Sequence, residues 1–196
     1  DLRSSIIIDL NKCMIDLNRQ YLKPLKQKTD AILYELSVRD FTMYENSPSK
    51  HKGKFLGVSE AGLITKHGNN AGLDYLVNLG ITHVQLMPIF DFATVDENQP
   101  HLLYNWGYDP AQYNVPEGSY CSDPNDGYSR VLECKEMIAR LHRHGLRVIM
   151  DVVYNHMYDV NASPFERIVP GYYFRKNMDG TLSNGSWCGN DLDRKS

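Results

Sequence analysis

The chain has 196 residues, 42% of them hydrophobic and 23% charged, and a formal net charge of −3. That composition suits one globular domain with a sizeable core. It gives no electrostatic case for nucleic acid or an acidic membrane surface as partner, and no apolar run approaches the roughly 18 residues of a membrane-spanning helix.

Taken in chain order, residues 1–30 read as a lead-in segment, with a β-like run, SSIIIDL, at 4–10 and irregular structure around Pro24. AILYELSV at 31–38 predicts a strand apolar enough to be buried on both faces. A polar, Gly-containing loop follows over 44–70. Asn69 or Asn70 can then cap a helix whose stripe is Leu73, Leu76 and Val77 and whose stop is Gly80. ITHVQLMP at 81–88 predicts the next strand. After a long segment from 89 to 125, the same grammar returns. Asp126 or Ser129 opens a helix with the stripe Val131, Cys134, Ile138 and Leu141, Gly145 ends it, and LRVIMDVVY at 146–154 is a strand. Helix–Gly–strand, twice, predicts βαβ units and a parallel sheet.

In such sheets functional groups collect on the loops that follow the strands' carboxyl ends. Two motifs fall there: YNWGYDP at 104–110 and DVVYNH at 151–156. Tyr104 and Tyr108 offer faces for a pyranose ring, Asn105 and Asp109 can bond its hydroxyls, and Gly107 lets the backbone approach a ligand. Trp106 reads instead as a plug at the sheet's end. Along an extended DVVYNH, Asp151, Val153 and Asn155 share one face and His156 the other, and Asp151 so close to an apolar run predicts a buried ion pair or polar network. Thirteen Tyr and two Trp fit a carbohydrate site, but on count alone a Tyr-rich core rim is the simpler reading. His83 and Gln85 read as satisfied core groups, and His142 and His144 as solvated groups at a helix end. Asp191 and Asp193 could supply oxygen to calcium, but a solvated tail is the simpler reading. Cys13, Cys121, Cys134 and Cys188 form no CxxC pair and are expected as free, buried thiols rather than a zinc site or disulfide framework. The first residue is Asp1, so the chain is expected to derive from a longer precursor.

AILYELSVRDF (31–41), GLDYLVNLGITHVQLMPIFDF (72–92), YNWGYDPAQYNVPEGSY (104–120) and RVIMDVVYNH (147–156) resemble, in order and spacing, the N-terminal part of the catalytic barrel of type I pullulanases. These are starch-debranching members of the α-amylase-type glycoside hydrolases. WCGND (187–191) is similar to their segment before the fourth barrel strand. The resemblance implies an α/β fold in which residues 31–196 form about strands one to three of a (β/α)8 TIM barrel. Residues 1–30 would then link it to a preceding β-sandwich. It implies retaining hydrolysis of α-1,6 links in pullulan, amylopectin or glycogen, with α-glucans, maltooligosaccharides included, as partners. His156 would bond the sugar before the cleaved link, Tyr108 would stack under it and Asp109 would line the same subsite. Tyr104 would join this substrate-binding set, with Asp151 and Asn155 in structural roles around it. No cofactor is required. An Asn matching Asn155 binds calcium in some α-amylase relatives.

Retaining chemistry needs two carboxyl groups about 5–5.5 Å apart. In the family these are an Asp after the fourth strand and a Glu after the fifth, both beyond Ser196, so no catalytic residue is expected in this chain. By itself it is expected to be inactive, and with three strands of eight not to be a stable monomer. The alternatives are a non-catalytic glucan-binding remnant and another α-amylase-type enzyme, such as an isoamylase or branching enzyme.

Overall fold

The structure, a computed structural model, describes residues 6–193. The chain enters through three 3-10 turns, Leu10–Cys13, Arg19–Tyr21 and Lys28–Asp30. Strand β1 (Leu33–Leu36) leads to helix α1 (Phe55–Val58), the two-residue strands β2 (Leu63–Ile64) and β3 (Asn70–Ala71), and helix α2 (Gly72–Asn78). Strand β4 (His83–Leu86), the long helix α3 (Gly127–Arg143), strand β5 (Arg147–Met150) and helix α4 (Pro164–Ile168) complete the order.

The sheet order is β1-β4-β5, all parallel, with Leu33 opposite His83 and His83 opposite Arg147. Parallel neighbours need crossovers, and the helices supply them. Val84 and Leu86 point from β4 into a core with Leu36, Phe55, Leu73, Leu76, Met137 and Leu141. Helix α3 starts where Asp126 accepts the Tyr128 and Ser129 N–H groups (3.0 and 3.2 Å) and stops at Gly145, whose φ of +80° costs a glycine little. Its buried stripe is Cys134, Met137 and Leu141, while Val131 and Ile138 are half-buried.

Several expectations fail for identifiable reasons. The strand expected over 4–10 does not form across residues 6–10, and residues 4 and 5 lie outside the described residues. Asp9 instead accepts the Asn11 N–H and opens a turn, leaving Ile7 99% exposed. The cap expected at Asn69 or Asn70 is replaced by Ala71, because Asn70 and Ala71 pair with Ile64 and Leu63. The loop over 44–70 therefore carries a helix and a small hairpin. Strand β1 is buried on one face only: Leu36 faces the helices, whereas Leu33 is 51% exposed. On that open face Gln85 donates to Glu35 across the strands (2.8 Å) and His83 bonds Thr82. β5 ends at Met150, not at residue 154. Asp151 N–H makes one more bond, to Leu86 (3.0 Å), before the neighbouring strand runs out at Pro88. His142 is buried rather than solvated, its Nδ1 2.6 Å from the Leu17 carbonyl, while His144 is exposed. Lys135 and Asn18 make further bonds (Lys135 to the Cys13 carbonyl, Asn18 to the Ala139 carbonyl), so the lead-in lies strapped along α3. Cys13, Cys121 and Cys134 are free and buried; Cys188 is free but exposed. No helix among the described residues is long and apolar enough to cross a membrane.

Candidate functional site

The site is built by the long segment after β4. It folds back on itself: Asp91 and Val115, Glu117 and Ile89, and Ala93 and Asp109 are joined by backbone hydrogen bonds of 2.8–3.0 Å. Glu117 underpins the fold-back. It is fully buried, and its two oxygens accept the Phe92 (3.1 Å) and Ser119 (2.9 Å) N–H groups. Burial pushes its carboxyl up to about 7, against the lowering effect of those bonds.

Gly107 then turns the chain over the end of β4. Its φ is +90°, and a Cβ there would lie 2.8 Å from the Pro88 carbonyl oxygen. The close approach that needs a glycine is thus to the strand end, not to a ligand. Asn105 is likewise spent on the loop: it donates to the Ala93 carbonyl (2.7 Å) and Thr94 (2.8 Å) and accepts from Gly107 N–H (2.7 Å). Trp106 does not plug the sheet; it is 61% exposed.

The next residues meet the end of β5. Tyr108 hydroxyl donates to Asp151 (2.7 Å), and burial together with that carboxylate raises the phenol to about 12. Its ring remains 39% exposed. Asp151 therefore belongs to a polar pair; no ion pair to it occurs among the described residues. Asp109 is half-buried, burial raises its carboxyl, and its Oδ1 is buried without a hydrogen-bond partner. His156 is buried beside it. Burial lowers the imidazole, offset by a hydrogen bond to the Tyr108 backbone and by the charges of Asp109 and Asp191. Asn155 is exposed and contacts His156 Nδ1 (3.1 Å). Tyr108, Asp109, Asp151, Asn155 and His156 thus converge at the carboxyl ends of β4 and β5. Tyr104 does not join that hydroxyl network: it donates to Asp40 (2.5 Å), with the Arg39 guanidinium 5.1 Å from its ring centre. A cavity of about 180 Å³ lies apart from the Tyr108–His156 cluster, between the segments at 39–54 and 92–120, walled by residues that include Arg39, Lys54, Phe92, Leu103 and Tyr120.

Sequence reasoning missed the clamp on this site. Asn190 is buried; its Oδ1 accepts the Met157 N–H (3.0 Å) and its Nδ2 donates to the Met157 carbonyl (2.7 Å). Leu192 N–H bonds the Asn155 carbonyl (2.9 Å). Asp191, expected in a solvated tail, is buried and accepts from the Ser183 hydroxyl (2.6 Å), Gly185 N–H (2.7 Å) and Ser186 N–H (2.7 Å). Those bonds hold its carboxyl well below the usual range. The signal was present in SNGS followed by GND: small residues whose N–H groups can reach a carboxylate.

Among the described residues a calcium cage does not fit Asn155, whose Oδ1 lies against His156 Nδ1, nor Asp191, whose oxygens are taken, nor Asp193, 3.9 Å from Arg175. Asp91, Glu97 and Glu117 bring carboxylate oxygens within 4.8 Å of one another. There, however, Glu97 grips Arg130 through both oxygens and Glu117 takes two backbone N–H groups. A guanidinium supplies the positive charge a cation would bring.

Parallel strands with crossover helices, and polar groups gathered where the strands end, fit part of a (β/α)8 barrel. The chain belongs to the α-amylase family: residues 57–176 match its catalytic domain. A pullulanase of Bacillus subtilis (strain 168) is 51% identical over 171 residues, covering 87% of this chain and 24% of that protein. Rice isoamylase 3 is 30% identical over 199 residues, covering 94% of this chain and 24% of its own length. The solved pullulanase of Paenibacillus barengoltzii, in complex with maltohexaose and α-cyclodextrin, superposes with a TM-score of 0.91 at 48% identity, covering 96% of this chain and 30% of that one. The pullulanase of Anoxybacillus sp. LM18-11 complexed with maltotetraose gives 0.91 and 48%, covering 95% and 27%. The chain therefore spans about a quarter of the length of these two curated relatives, and 13% of the pullulanase A of Streptococcus pneumoniae.

Proposed function

We propose that this chain supplies the first three strands and part of the substrate-binding surface of a retaining hydrolase. The enzyme cleaves α-1,6-glucosidic links in pullulan, amylopectin or glycogen. In this reading residues 31–196 belong to the barrel and residues 1–30 lead into it. The observation that carries it is the pairing of Tyr108 with Asp151 beside His156 and the unpartnered Oδ1 of Asp109. A buried carboxylate oxygen without a partner is costly until a donor arrives, and a sugar hydroxyl is such a donor. Tyr108 supplies a half-exposed ring to stack on the same sugar, and His156 a second hydrogen bond to it. Tyr104 extends the aromatic surface, while Asp151 and Asn155 hold Tyr108 and His156 in place. Cleavage itself is assigned to an Asp and a Glu outside these 196 residues, and no cofactor is required. Greater identity to a pullulanase than to an isoamylase supports pullulan as substrate.

The test is hydrolysis of pullulan and of glycogen by the full-length protein carrying this chain, with and without His156→Ala. Pullulan cleavage that falls about a hundredfold in the variant fits the loss of one donor to the developing charge. Unchanged cleavage by the variant would overturn the reading of the site, and activity on glycogen with none on pullulan would replace a pullulanase by an isoamylase-type enzyme.

A further inference from the structure

Trp187 combines two properties that folding alone disfavours. Its side chain is 91% exposed, and its φ is +63°. L residues with large side chains adopt that left-handed conformation at a cost, whereas glycine adopts it freely. A strained residue persists only where its surroundings fix it, and such residues cluster at functional sites.

The surroundings do fix it. Trp187 N–H bonds the Asn184 carbonyl (3.2 Å), and Gly189 N–H bonds the Asn184 side chain (2.7 Å). Ser186 hydroxyl donates to the Asn190 carbonyl (2.8 Å). Below them, Asp191 gathers Ser183, Gly185 and Ser186, and Asn190 is locked to Met157, the residue after His156. Three peptide units separate Trp187 from Asn190, so its Cα lies no more than about 11 Å from that anchor. The loop thus carries a solvent-facing indole and is tied, through Asn190 and Met157, to the segment that bears His156.

We propose that Trp187 is a carbohydrate-stacking residue: its indole takes the apolar face of a glucose ring in an α-glucan that runs on from the Tyr108–His156 site. The inference rests on the reading that the site holds a glucan. The flat aromatic face gains by covering a pyranose, a pairing the exposed ring otherwise forgoes in water. The strained backbone is retained because it aims the ring.

The experiment is calorimetric titration of the full-length protein with maltotriose and maltohexaose. It compares the parent with Trp187→Gly, Trp187→Asn and Trp187→Phe. Gly and Asn accept the left-handed backbone but lack the ring, so they should retain the fold, with a raised Tm for Trp187→Gly. Both should bind maltohexaose about tenfold more weakly, while Trp187→Phe keeps most of the affinity. Equal binding by the parent, Trp187→Gly and Trp187→Asn would overturn this inference and leave the glucan site standing. Absence of glucan binding by the parent would overturn both.

Discussion

Asn190→Ala is the most direct test of how the site is held. Asn190 makes two hydrogen bonds to one backbone unit, Met157, and both residues are buried. Truncation removes two bonds worth about 1 kcal/mol each, and it leaves the Met157 N–H and C=O in a dry environment at an added cost of about 1 kcal/mol or more. The sum is about 3–4 kcal/mol, the upper part of the range for single substitutions. The loss should be local, because Leu192 N–H still bonds Asn155. Amide hydrogen exchange reads it where it occurs. At tenfold per 1.4 kcal/mol, the Met157 amide should exchange roughly a hundred- to a thousandfold faster. Asn184→Ala, which touches only the tip of the same loop, should leave that amide unchanged. Acceleration of less than about threefold would mean that water or backbone relaxation replaces both bonds, and the reasoning would be refuted.

Gly107→Ala combines a φ of +90° with a Cβ 2.8 Å from the Pro88 oxygen. It should destabilise by more than about 1 kcal/mol and weaken glucan binding by displacing Tyr108, as thermal denaturation and titration would show. Tyr108→Phe removes the hydroxyl bond to Asp151. Because the pair is partly solvated, maltotriose affinity should fall by no more than about tenfold. Asp191 has a folded pKa below its unfolded one. Its contribution is complete above the ordinary carboxylate value and is lost as pH falls through the folded one. Trp187 fluorescence, read in a Trp106→Phe background, should report loop opening in strong acid, and Asp191→Asn should abolish that transition. Glu117 behaves oppositely. Its carboxyl rises from 4.5 to about 7, so it favours the fold while protonated and that contribution is lost as pH climbs between those values. The loss is at most about 3 kcal/mol, and Glu117→Gln should flatten the stability profile there.

The parallel sheet and its helices were legible because their signals are local. Asp126 as cap, Gly145 as stop and the Leu73–Leu76 stripe are each read within one or two turns of chain. The motif YNWGYDP was also legible as a unit, but the duties of its members were not. Asn105 and Gly107 serve the loop, Trp106 faces solvent and Tyr104 turns to Asp40, since which partner a polar group meets depends on segments distant in sequence. The same holds for the two positions read as solvated. His142 is buried by Leu17, 125 residues earlier, and Asp191 by a loop that closes onto Met157. SSIIIDL had the composition of a strand, but among its described residues no neighbouring strand pairs with it. By itself the sequence determined the class of fold, the family resemblance and the loops on which a site would lie, because periodicity, caps and turns are written in neighbouring residues. Only the tertiary structure decided which side chains converge, because burial and hydrogen-bond pairing are set by chain segments that sequence spacing does not relate.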